Sequence, residues 1–243
     1  MGFENKQSKE NNIILRGIKN VHKPKNKIIH PITFKVLKIL REKIFQQKWS
    51  KLSKQIIWSC CCLAFFGSFR ISEIVTKHRK KFDKTSELRW KDVKFHKKYI
   101  KVCIKKGKTS PSKHVVVYLF KINSTLFCPY KNLKCLKKLQ VEKKIFNKNL
   151  PLFRFASGIF LTTKKLNKLL KNLLCDTNFG KSHLTSRCFR YGIPSEIENI
   201  PELLNNNHVK NWGRWRSSAY KNYMKNDLPT KEWIFRKVCA TFM

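Results

Sequence analysis

Negative charge is what this chain most lacks: 14 Asp and Glu stand against 54 Lys and Arg, a formal charge of +40 with a pI near 10.2. A surface so short of carboxylates is suited to polyanionic partners, nucleic acid first among them. Lys, Asn, Ile and Phe share A/T-rich codons, so part of the lysine excess reflects base composition. The remainder still describes a chain that binds phosphate backbones, at least non-specifically. Long apolar runs are also missing. The longest, Ile56 to Phe69, ends in Arg70 and is shorter than the roughly 20 residues a membrane helix needs. It reads as a buried helix, with no membrane partner implied. Repeated CxxC pairs are absent, although there are nine cysteines, so no zinc site is expected and reduced, mostly buried thiols are. Residues 1–28 lack the apolar segment of a secretory signal, which sets the expectation of an intracellular protein.

What is present divides into three parts. Residues 1–30 are rich in Lys and Asn and poor in clustered apolar side chains, as in a flexible basic arm. A single main domain is expected over 31–228. The tail 229–243 spaces Ile234, Val238 and Phe242 four residues apart, an apolar stripe suited to docking on its own core or on a neighbouring subunit. No internal repeat is visible. Helical spacing predicts helices over 31–45, with Ile32, Val36, Leu37, Leu40 and Ile44 on the buried face, and over 52–68, which Gly67 and Ser68 end. Helical character is expected to resume over 70–78. Alternating and β-branched runs over 88–96, 99–104 and 114–120 predict a three-stranded antiparallel sheet with a basic turn at 105–113. Helices are expected again at 129–140, 162–174, 185–193 and 217–225. The fold class is therefore α+β, mainly helical with one small sheet.

Three short runs carry the chemistry: 67-GSFRISEI-74, 186-SRCFRYG-192 and 211-NWGRWRSSAYKNYMK-225. Arg70 and Arg190 offer forked, permanently charged donors for the oxygens of a phosphodiester, and a tyrosine hydroxyl supplies a nucleophile able to link covalently to the phosphorus. Glu73 lies one helical turn after Arg70, where its carboxylate can fix the guanidinium plane.

These runs resemble the catalytic domain of the tyrosine recombinases, the phage integrase superfamily, over roughly residues 31–226. Within it they look most like the eukaryotic mobile-element branch that includes DIRS-type retroelements and Cryptons. The resemblance implies that Arg70 is the first catalytic arginine with Glu73 supporting it. It implies that Lys108, in the turn 107-GKTS-110, protonates the departing 5′ oxygen, with Lys105, Lys106 and Lys113 close enough in sequence to contact DNA or compete for that role. Arg190 matches the second catalytic arginine. Arg187 stands where the family usually has histidine; an arginine can donate to phosphate but accepts no proton at ordinary pH, so base assistance there is lost. His183 is suited to compensate only after a shift of a full turn. Trp215 matches the histidine or tryptophan that hydrogen-bonds the phosphate, with Arg214 beside it on DNA. Tyr223 follows by eight residues as the nucleophile, with Tyr220 as second choice.

The implied reaction is DNA strand cleavage and rejoining through a 3′-phosphotyrosine link, with no cofactor and no metal. Double-stranded DNA is the implied partner, self-association on it as dimer or tetramer is implied too, and the implied compartment is the nucleus of a eukaryotic host. The alternative is a DNA-binding remnant that has lost turnover. The family's N-terminal clamp domain has no counterpart in the basic arm before Pro31. The expectations are a truncated gene, a degenerate element or reliance on the arm alone.

Overall fold

The computed structural model describes residues 30–105, 114–180, 184–200, 212 and 228–242. Helix α1 (Phe34–Gln46) starts where Thr33 caps it, its side chain accepting from the Val36 N–H, and where the distant Glu196 accepts from the Phe34 N–H at 2.6 Å. Its face of Val36, Leu37, Leu40 and Ile44 is buried, as the spacing predicts. Helix α2 (Lys51–Phe66) is capped by Ser50 and buries every residue except Lys51, Ser53 and Lys54. A helix apolar almost all round belongs at the centre of a domain. Its two buried polar side chains share a partner: Gln55 and Ser59 both donate to the Asn132 carbonyl, at 3.1 Å each.

Gly67 ends α2, and a side chain there would place its Cβ 2.2 Å from the Phe69 ring. Ser68 then takes φ 44°, reversing the chain so that Phe69 turns into the core. The helix expected over 70–78 is cut to the single turn α3 (Ile71–Ile74). The reason is tertiary. Val75 goes extended, and Thr76 forms a parallel bridge with Thr162 while its N–H donates to the Leu161 carbonyl.

The predicted sheet forms from β1 (Val93–Phe95), β2 (Tyr99–Ile104) and β3 (Val115–Phe120), in the order β1-β2-β3, antiparallel throughout. Ile100, Val102 and Ile104 alternate into the core. The strand expected from residue 88 begins only at Val93. Trp90–Asp92 makes a 3-10 turn instead, because Asp92 accepts from the Arg89 N–H and the Trp90 indole donates to Gln140 at 2.7 Å.

Helices α4 (Pro129–Glu142) and α5 (Thr163–Leu174) lie where the periodicity puts them. The helix expected over 185–193 divides into a 3-10 segment (Ser186–Tyr191) and α6 (Gly192–Glu198). The tail forms α7 (Leu228–Phe242), and Ile234 and Val238 of its stripe are buried against the core. Phe235 packs against Phe66 of α2, Phe120 of β3 and Trp212, with ring centroids 5.5, 5.7 and 5.9 Å away. The helix expected over 217–225 lies outside the described residues. Among the described residues no helix is long and apolar enough to cross a membrane, and no group of three metal-ligating side chains gathers.

Candidate functional site

The Gly67–Phe69 turn delivers Arg70 to the mouth of a cleft just before α3 begins. Glu73 holds it twice: one carboxylate oxygen accepts the Arg70 backbone N–H at 2.8 Å, and the other accepts from Nη1 at 3.1 Å. Arg70 keeps 37% of its side chain exposed while Glu73 keeps 8%. The carboxylate is thus the buried anchor, and the guanidinium retains further donors for a ligand.

The opposite wall is the 3-10 segment. Three ties pin it: Ile32 N–H to the Cys188 carbonyl at 3.2 Å, Ser186 N–H to Asn167 Oδ1 at 2.8 Å, and the fully buried Phe189. The next residue along after the segment must be glycine. A Cβ on Gly192 would lie 2.6 Å from the Phe65 ring and 2.7 Å from the Ile32 carbonyl. This close approach carries Arg190 inward, where it is 5% exposed, and leaves Arg187 exposed at the rim one turn away.

Arg70, Arg187 and Arg190, distant in sequence, line one cleft of about 540 Å³. No acidic side chain lines it among the described residues. Hydroxyls complete the wall: Ser72, Thr163, Ser186 and Tyr191. Three guanidinium groups with hydroxyl donors between them suit a tetrahedral oxyanion such as a phosphodiester.

Of the residues singled out in the sequence, Arg70, Glu73, Arg187 and Arg190 are therefore brought together. Lys105, expected to reach DNA, turns inward. It pairs with Asp92 at 2.8 Å, donates to the Lys84 and Glu87 carbonyls, and is 11% exposed. Lys106, Lys108, Lys113, His183, Arg214, Trp215, Tyr220 and Tyr223 lie outside the described residues. Sequence reasoning missed the four hydroxyls. Ser72 and Ser186 sit inside the arginine runs and were open to notice, whereas Thr163 shows only as part of a helix start.

The helices and sheet that carry this cleft form the fold of a tyrosine recombinase catalytic domain. The chain is similar to the XerH site-specific recombinase bound to difH substrate, in a pre-cleavage complex (TM-score 0.57, 17% identity, 86% of this chain and 54% of that one). A post-cleavage XerH complex with palindromic difH substrate gives TM-score 0.54 at 17% identity, over 88% and 55% of the two chains. An FLP recombinase–Holliday junction complex gives TM-score 0.52 at 14% identity, over 94% and 53%. At such identities the likeness is one of fold, and the chain spans about half the length of these proteins. No family model and no curated protein matches it.

Proposed function

We propose that this protein binds duplex DNA and breaks and rejoins its strands through a 3′-phosphotyrosine intermediate. The observation that carries this reading is the meeting of Arg70 and Arg190 in one cleft, lined among the described residues by no acidic side chain, on a fold shared with recombinases solved on DNA.

In this mechanism the arginines hold the non-bridging oxygens of the scissile phosphate and stabilise charge as it builds at phosphorus. The Tyr223 hydroxyl attacks, losing its proton to solvent water because Arg187 accepts none. A bond forms between its oxygen and phosphorus while the bond to the 5′ oxygen breaks, and Lys108 protonates that leaving oxygen. Trp215 donates its indole N–H to the phosphate. A 5′ hydroxyl from a second strand later attacks phosphorus and releases Tyr223. One phosphodiester is exchanged for another, so no high-energy nucleotide is consumed. The eight-residue step from Trp215 to Tyr223 supports placement in the mobile-element branch, with a nuclear location and assembly on DNA as dimer or tetramer belonging to the same proposal.

A second reading, a DNA-binding remnant without turnover, is favoured by Arg187, which stands exposed at the cleft rim and has no capacity to accept a proton. A nicked-duplex trapping assay, run with a randomised target pool and resolved on a denaturing gel, separates the two. Under the first reading the protein gives a covalent adduct that Tyr223→Phe abolishes and that Tyr191→Phe and Tyr220→Phe retain. DNA binding without an adduct, with adduct formation restored by Arg187→His, places the defect at Arg187, and DNA binding without an adduct in either form favours the remnant.

A further inference from the structure

Consecutive residues at the start of α5 serve two different hollows. Thr163 lines the arginine cleft, whereas Thr162 and Lys164 line a separate one of about 460 Å³. The floor of this second hollow is Phe155, Ile159 and Phe160. Its rim carries Lys77, Arg79, Lys164, Lys165 and Lys168, all exposed. Among the described residues, no acidic side chain lines it and none of the five cations forms an ion pair.

The rim is built on rigid backbone. Residues 76–79 are clasped to 160–162 by the Thr76–Thr162 bridge, by the Thr76 N–H to the Leu161 carbonyl at 3.3 Å, and by the Phe160 N–H to the Arg79 carbonyl at 2.8 Å. The Thr76 hydroxyl donates to the His78 carbonyl at 2.9 Å, which fixes the turn between Lys77 and Arg79. Phe160 is itself braced by Phe82, ring centroids 5.6 Å apart. Like charges gathered on one face repel one another, and a bound polyanion relieves that repulsion. Five cations spread round an apolar floor exceed what one phosphate can engage. They match the successive phosphates of a strand, with deoxyribose faces resting on the floor.

We propose that this hollow is a second contact for the sugar–phosphate backbone of DNA, gripping phosphates that flank the one held by Arg70, Arg187 and Arg190. The inference rests on the reading that the chain binds duplex DNA. Arg70 and Lys77 stand at either end of the short segment containing α3, and Thr163 adjoins Lys164, so one strand can follow the surface from one site to the other.

The test is fluorescence anisotropy of a labelled mixed-sequence duplex titrated across a salt series. Wild type is compared with the rim variant Lys77→Ala/Arg79→Ala/Lys164→Ala and with a charge-matched control, Lys134→Ala/Lys137→Ala/Lys138→Ala, whose exposed lysines on α4 line neither hollow. Each lost phosphate contact lowers the slope of log K against log salt by about 0.9. The rim variant is expected to lose between about 1 and 3 of slope, and the control to keep the wild-type value. Equal slopes for rim variant and control overturn the inference while leaving duplex binding intact. A rim variant weakened only toward single-stranded RNA overturns it as well. Failure of the wild type to bind any duplex removes the underlying reading, a result distinct from either.

Discussion

Glu73 sets the position of Arg70 with both of its oxygens, one on the backbone N–H and one on the guanidinium. A bond at each end of one residue fixes where the fork starts and how it is turned, which a surface ion pair, worth a few tenths of a kcal/mol, does not do. Arg70→Lys keeps the charge and loses the fork. On the proposed reaction it is expected to slow covalent-complex formation by roughly a hundredfold or more while duplex affinity changes little. Glu73→Gln is expected to give a smaller rate loss, because an amide still accepts one of the two bonds. Single-turnover gel assays beside anisotropy separate rate from affinity; equal loss in both would make Arg70 a simple DNA contact. The site was legible in part at this scale. Both arginines and Glu73 sit in short recognisable runs, but the hydroxyls of Ser72 and Thr163 join them only after α3 and α5 have packed.

The element that decides the cleft wall is the 3-10 segment followed by α6, which periodicity alone shows as one helix. The break falls at Gly192, whose contact with Phe65 and the Ile32 carbonyl is set by distant parts of the chain. On α6 the buried Glu196 reaches back to cap α1 at the Phe34 N–H. Burial pushes its carboxyl above the ordinary value of 4.5, partly opposed by that N–H. The folded state therefore holds this proton at pH values where the unfolded chain has released it, and stability contributed by this group falls as pH rises from 4.5 to the raised folded value. Glu196→Gln keeps the acceptor and removes the titration. Urea melts across that window are expected to show wild type losing stability with rising pH relative to Glu196→Gln. Parallel curves would mean that Glu196 does not titrate differently on folding.

On the scale of the whole molecule, α7 belongs to the same core as the sheet and α2. Phe235 is 1% exposed and touches Phe66 and Phe120, so the last described element is sealed onto elements far earlier in the chain. Phe235→Ala is expected to remove about 3–5 kcal/mol, a fall of roughly ten degrees in Tm, within one cooperative transition. A small loss, or a separate early transition, would make α7 a loosely attached tail. The excess of cations is likewise a property of the whole: the two cationic hollows meet at α5, although their cations come from separated stretches of sequence.

Composition and pattern by themselves determined the large positive charge, the buried α2, the antiparallel sheet and the two arginine runs, since charge balance, periodicity and local spacing are properties of neighbours in the chain. Only the tertiary structure decided that 70–78 stops after one turn, that 185–193 divides, that Lys105 turns to Asp92, and that α7 docks on its own core. Each of these depends on a partner remote in sequence: Leu161 for Thr76, Phe65 for Gly192, Asp92 for Lys105, Phe66 for Phe235. A local preference of a few tenths of a kcal/mol per residue yields where a distant hydrogen bond or a buried ring is worth more.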